Sequence, residues 1–127
     1  MASLTDDMRS LIPAPAFGGI APLHVSARRT GADVVLTLSG EIDIATTDRI
    51  RAVVAESLRE PRPSSLTVDL SGVTFCDCCG IEALEWALGR ALRAQTHFSL
   101  HGASTRLRRT FALARAGELL DACSLSL

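Results

Sequence analysis

Val68-Asp69-Leu70-Ser71-Gly72-Val73-Thr74-Phe75-Cys76-Asp77-Cys78-Cys79-Gly80-Ile81 is the stretch that decides the architecture. From Ser65 to Leu70 the chain alternates, with Leu66, Val68 and Leu70 on one face and Thr67 and Asp69 on the other, the period of a strand with one buried face. The strand leads into Val73-Thr74-Phe75. A helix is then predicted from near Cys79-Gly80, because Ile81, Leu84, Leu88, Ala91 and Leu92 form an apolar stripe running to about Ala94. A buried strand that feeds a helix through a short loop leaves the first N–H groups of that helix without intrahelical partners. Such an end faces outward and attracts negative charge.

Working outward, Leu23, Val25 and Ala27 alternate with polar residues, and the turn-like Thr30-Gly31 is followed by the β-branched run from Val34 to Leu38. This predicts a hairpin whose second strand ends at Ser39-Gly40. Thr46 or Thr47 then caps a helix in which Ile50, Val53, Val54 and Leu58 share a face, and Pro61 stops it. Beyond the central helix, His97 to Leu100 reads as a strand. Thr105 to Ala116 reads as a helix with Leu107, Phe111 and Ala114 inward, closed by Gly117 at C′, and a short final turn buries Leu119 and Leu120. The order β-β-α-β-α-β-α specifies an α/β domain, a sheet with helices packed on one face and right-handed crossovers. Residues 1 to about 22 mix Pro13, Pro15, Gly18, Gly19 and Pro22 with small residues and carry neither period, so they read as a flexible leader to a domain spanning 23–127.

The whole chain has 127 residues, the size of one domain with one core. With 47% hydrophobic and 21% charged residues it has the composition of a globular protein, away from the polar signature of disorder. Its formal charge is -1, and every basic residue is Arg, so there is no electrostatic footprint for nucleic acid. No apolar run approaches the ~20 residues of a membrane-spanning helix. MASLTDDMRS places acid where a secretory signal carries positive charge, which together point to the cytoplasm. Cysteines stand at 76, 78, 79 and 123; three within four positions is poor spacing for a disulfide framework, so reduced thiols are expected.

Two stretches in this order, Leu38-Ser39-Gly40-Glu41-Ile42-Asp43 with the helix Thr46 to Arg59, and Val68 to Ile81, resemble the STAS domain of bacterial anti-sigma-factor antagonists. In that family an apolar-Asp-apolar strand runs into a loop ending in Asp-Ser-Ser-Gly or a close variant, then a helix; the likeness extends more weakly from about Leu23 to Leu120. The resemblance implies a four-stranded mixed sheet with helices on one face. It also implies partner switching in place of catalysis: the loop and the helix N-terminus dock a kinase-like anti-sigma factor, releasing a sigma factor, and phosphorylation of a loop Ser or Thr by that factor breaks the complex. Carried over residue by residue, the partner-binding positions are Asp43, Asp77, Cys78, Cys79 and Gly80. The phosphorylatable position, immediately before the glycine, is Cys79.

Cys79 is the main departure from that pattern, because a thiol is not the usual acceptor of such a kinase. Either the partner is bound without this regulation, or the acceptor has moved to Ser71 or Thr74. Thiol-based redox sensing at Cys78 and Cys79 is the competing reading, since a helix N-terminus lowers a thiol pKa, although Asp77 opposes that shift. The CxCC spacing differs from the CxxC pair of structural zinc, and Cys76 and Cys123 read as small buried hydrophobes. Asp43 and Asp77 lack an accompanying nucleophile or phosphate loop, which leaves loop capping or partner recognition. Glu82 reads as a first-turn acid favoured by the helix dipole. Trp86 falls off the apolar stripe, where a partly exposed ring would make an interface anchor. Arg106, Arg108, Arg109 and Arg115 read as a solvated helix face, and His24, His97 and His101 as structural or exposed. The expected molecule is a monomer or weak dimer without cofactor or metal, binding neither nucleic acid nor membrane. A STAS subunit of a larger signalling or transport assembly is the alternative with the same fold.

Overall fold

The computed structural model describes residues 23–123; the segment read as a leader, residues 1 to 22, lies outside them. Among the described residues four strands and four helices follow one another as β1 (His24–Thr30), β2 (Asp33–Ile42), α1 (Thr47–Ser57), β3 (Ser65–Cys76), α2 (Cys78–Arg93), β4 (His97–His101), α3 (Thr105–Leu113) and α4 (Gly117–Ala122). The sheet order is β1-β2-β3-β4. β1 and β2 form the antiparallel hairpin, whereas β2 with β3 and β3 with β4 run parallel, each parallel pair joined through a helix. This is the four-stranded mixed sheet that the order of elements and the family resemblance imply.

The alternation fixes which face is covered. Val25 and Ala27, Val34, Leu36 and Leu38, Leu66, Val68 and Leu70, and Phe98 and Leu100 all point into the core. Against them pack Ile50, Val53 and Val54 of α1, Ile81, Leu84, Leu88 and Ala91 of α2, Leu107 and Phe111 of α3, and Leu119 of α4. Removing apolar area from water at about 25 cal/mol per Å², with most of these side chains fully enclosed, is the dominant stabilising term. The opposite face is largely polar, with Ser26 beside Thr37 and Thr37 beside Asp69, and with Val35 exposed next to Thr67. Thr67 Oγ1 and Ser99 Oγ share a hydrogen bond of 3.1 Å across β3 and β4.

Several boundaries differ from the sequence reading, each for a local reason. β2 runs on past Ser39-Gly40 to Ile42, and β3 is one strand from Ser65 to Cys76 instead of a strand followed by a loop, because the two extensions pair with each other. The ladder accommodates them with irregularities between Thr37 and Ser39 and between Gly40 and Glu41. Gly40, at φ 115°, supplies a conformation that a side chain disfavours. Leu92 is 61% exposed and not part of the buried stripe. Ala83 and Ala87 fill the space beside Leu84 and Leu88 instead, and their small size lets α2 lie close to the sheet.

At the C-terminal end α3 stops at Leu113. Arg115 takes the left-handed conformation (φ 61°) that the sequence reading assigned to Gly117, with the Ala116 N–H donating to the Phe111 carbonyl at 2.9 Å. Ala114 is therefore exposed and Ala116 buried, Gly117 opens α4, and Leu119 is enclosed while Leu120 is half-buried. Among the described residues no helix is long and apolar enough to cross a membrane.

Candidate functional site

The paired extensions of β2 and β3 bring the two conspicuous acids together. Ile42 lies opposite Cys76, and the Asp77 N–H donates to the Ile42 carbonyl at 3.2 Å, so Asp43 and Asp77 leave adjacent strand ends side by side. Each has a local role that fixes its backbone. Asp43 Oδ1 accepts from the Ala45 N–H at 2.9 Å, and the Asp43 N–H donates to Thr46 Oγ1 at 2.9 Å, which closes the turn into α1. Thr46 thus spends its hydroxyl on that turn, on the Glu41 and Asp43 carbonyls, and makes no side-chain cap to the helix. Asp77 is the N-cap of α2, its Oδ1 accepting from the Gly80 N–H at 3.0 Å. α2 therefore starts at Cys78, one residue earlier than the apolar stripe suggests.

Of the residues carried over from the family resemblance, Cys78 is exposed, while Asp43, Asp77 and Cys79 are half-buried at the surface. Gly80 is buried beneath them. A Cβ there would lie 2.7 Å from both Cys76 Sγ and Ile42 Cγ2, so its contribution is to let α2 approach the ends of β2 and β3. The structure also brings to this surface two residues that the sequence reading missed, Ile44 at 75% exposure and Phe75 at 49%. Ile44 directly follows Asp43 in the turn, and Phe75 precedes Cys76 and Asp77. Their signal in the sequence was an apolar residue in a polar turn and an aromatic outside the core alternation. The result is an acidic centre flanked by apolar side chains, the arrangement of a docking patch.

Three of the thiols, Cys76, Cys79 and Cys123, are pushed towards the protonated form. Burial, with the Asp77 carboxylate behind it, pushes Cys76 up to about 12. Cys79 is also raised, by partial desolvation first and then by Asp77, Cys78 and Glu82, which oppose a further negative charge. Cys123, buried, is raised by its burial, with Arg108 pulling the other way. A helix N-terminus alone would favour thiolate at Cys79; here desolvation, with the acids around it, prevails. All four cysteines are free, and Cys76 and Cys123 are the buried small apolar residues expected of them. No group of three or more His, Cys, Asp or Glu among the described residues is arranged to hold a metal ion.

The remaining candidates lie elsewhere. Ser71 is exposed but tied to Asp69 Oδ1 by both its hydroxyl (2.6 Å) and its N–H (2.9 Å). Thr74 Oγ1 donates to the Gly40 carbonyl at 3.3 Å. Trp86 is half-buried against the core, with Arg51 of α1 and Arg90 of α2 at 5.9 and 5.1 Å from its ring centroid, so its face is occupied within the helical layer. His24, His97 and His101 are exposed on strands of the uncovered face.

Residues 25–121 match the family described as "Mlab, STAS domain". No curated protein matches. Among solved structures the fold is similar to an anti-sigma factor antagonist from Mycobacterium paratuberculosis, at 27% identity and TM-score 0.65, covering 83% of this chain and 87% of that one. It is similar to the phosphorylated form of the Bacillus cell fate determinant SpoIIAA, at 18% identity and TM-score 0.64 over 80% and 89% of the two chains. A sulfate transporter family protein from Wolinella succinogenes is similar at 22% identity and TM-score 0.62, over 74% and 77%.

Proposed function

Because the chain belongs to the STAS-domain family, we propose that it is a non-catalytic anti-sigma-factor antagonist, acting in the cytoplasm, that docks a kinase-type anti-sigma factor on the surface around the N-terminus of α2. The observation that carries this reading is the juxtaposition of Asp43 and Asp77 at adjacent strand ends with exposed Ile44, Phe75 and Cys78 around them. The similarity to a mycobacterial anti-sigma factor antagonist at 27% identity supports the partner class.

Regulation departs from the usual switch at Cys79. A phosphoryl group at this position would add roughly -1.5 to -2 charges next to Asp77, Asp43 and Glu82, and like-charge repulsion would expel a packed partner. With a thiol there, the antagonist binds without that control, or takes the phosphate at Ser71 or Thr74. Redox control through Cys79 is disfavoured, because its thiol is raised and not lowered.

The test uses the tagged full chain and its Cys79→Ala and Cys79→Asp variants as bait in the native cell, followed by calorimetric titration of the captured protein. The expected result is an ATP-binding kinase-like protein retained by the wild type and Cys79→Ala. Cys79→Asp, which adds a charge facing an interface, weakens it by about 2–5 kcal/mol. Equal binding of the Asp and Ala variants would remove this surface from consideration. Recovery of transporter components would favour the second reading, a STAS subunit of a transport assembly, which the likeness to a sulfate transporter family protein supports.

A further inference from the structure

β3 is longer than its neighbour on one side. β4 pairs with it only over Ser65–Asp69, and residues 72–76 pair only with β2. On the β4 side, the stretch Ser71-Gly72-Val73-Thr74-Phe75-Cys76 has no strand partner among the described residues. An open edge of this kind is a template for another strand, and proteins commonly protect one with charge or proline. This stretch contains neither.

The chain turns away after β4 and enters α3, which lies across from the open edge. Between them is a cleft of about 360 Å³ lined by Val73, Phe75 and Cys76 on the strand and by Arg106, Leu107 and Thr110 on the helix. Its walls are chiefly apolar. The hydroxyls bordering it are engaged internally: Thr74 Oγ1 donates to the Gly40 carbonyl, Ser104 Oγ accepts from the Leu107 N–H at 3.0 Å, and Thr110 Oγ1 donates to the Arg106 carbonyl at 3.1 Å. The Arg106 guanidinium, exposed at the rim, has no hydrogen-bond or ion-pair partner among the described residues. Arg109, one turn on, is also exposed.

From this juxtaposition we propose that the cleft between the open edge of β3 and α3 is a peptide-binding groove. Its occupant is an extended segment of a partner protein in which an apolar side chain alternates with an acidic one. The segment adds to β3 as a further strand, the mode in which main-chain hydrogen bonds give affinity and pockets for alternate side chains give specificity. The apolar side chain enters between Phe75 and Leu107, and the carboxylate meets Arg106. A cleft of this size accommodates one or two side chains and not a folded domain, which is why the occupant is extended. The inference shares Phe75 with the docking reading above, but it does not depend on Asp43, Asp77, Cys79 or the identity of the partner bound there.

The probe is a library of random linear peptides displayed on phage and selected against the purified full chain. The best peptide is then synthesised and titrated into the ¹⁵N-labelled protein. Enriched peptides should alternate apolar residues with Asp or Glu and shift the amide signals of Val73 to Cys76 and of α3. Thr110→Trp, which fills the cleft from the helix side, should weaken the peptide about tenfold or more. Selection against Arg106→Glu should replace the acidic residue with Lys or Arg, a change that a merely structural role for Arg106 would not produce. Thermal melts establish that both variants fold, and if Thr110→Trp does not, the charge reversal at Arg106 decides alone. The proposal is overturned if no common pattern is enriched, if the shifted signals map to the Asp43 and Asp77 turns or the polar sheet face, or if Arg106→Glu selects the same peptides as the wild type.

Discussion

Replacing Gly80 by Ala tests the packing on which the candidate site rests. The added Cβ would lie 2.7 Å from Cys76 Sγ, 2.7 Å from Ile42 Cγ2 and 3.0 Å from the Ile42 carbonyl oxygen. Non-bonded carbon atoms are comfortable at about 3.5–4.0 Å, so the first two contacts overlap by close to 1 Å. Little can yield, because the Ile42 carbonyl also accepts the Asp77 N–H that holds the two strand ends together. Overpacking of this kind costs about 1–3 kcal/mol, against which Ala in place of Gly in a helix returns about 0.5–1 kcal/mol. Gly89 provides the control within the same helix, since nothing lies within 4 Å of a Cβ built there. Gly89→Ala should therefore stabilise by about 0.5–1 kcal/mol. The propensity gain cancels between the two variants, and the difference of about 1–3 kcal/mol is the strain itself. Urea unfolding midpoints at a common slope measure it. Cys76→Ala on the Gly80→Ala background should recover part of the loss, a coupling of about 0.5–3 kcal/mol between neighbours in contact. If Gly80→Ala proves as stable as Gly89→Ala, or shows no coupling to Cys76, α2 does not approach the strand ends as described.

Two further perturbations follow from the charges. At Asp69 partial burial pushes the carboxyl up, but the hydrogen bonds from the Ser71 hydroxyl and amide and the charge of His101 prevail and hold it below the usual carboxylate range. Its contribution to stability is thus present above that range and lost as pH falls through the lowered value, so Asp69→Asn should lower the melting temperature in the neutral region and flatten the acid limb, the two proteins converging at low pH. In iodoacetamide labelling of the native protein near neutral pH, Cys78 should react first and Cys76 and Cys123 stay protected, with Cys79 reacting only at raised pH. Asp77→Asn keeps an N-cap but removes the charge, and mass spectrometry should then find Cys79 labelled at lower pH; an unmoved profile would show that Asp77 does not govern this thiol.

What the sequence determined by itself was set by short-range periodicity. The alternation of Leu66, Val68 and Leu70 and the helical spacing of Ile81, Leu84, Leu88 and Ala91 each require a buried face, and four strands interleaved with helices leave few ways to provide one. The turn chemistry of Asp43 and the change from strand to helix near Asp77 were legible for the same reason, since they sit where one period gives way to another. Other features were decided by pairing between distant segments. Whether Ser71 to Cys76 is loop or strand depends on Gly40 to Ile42 lying beside it, a contact across 34 positions at Thr74 and Gly40. The exposure of Leu92 follows from α2 turning Ala83 and Ala87 into the core, which leaves Leu92 on the far side of the helix. The raised thiol of Cys79 follows from desolvation first and then from the acids that α2 and its cap bring around it. Burial, register and local field are properties of surfaces brought together in space, and a linear pattern specifies each surface without specifying what covers it.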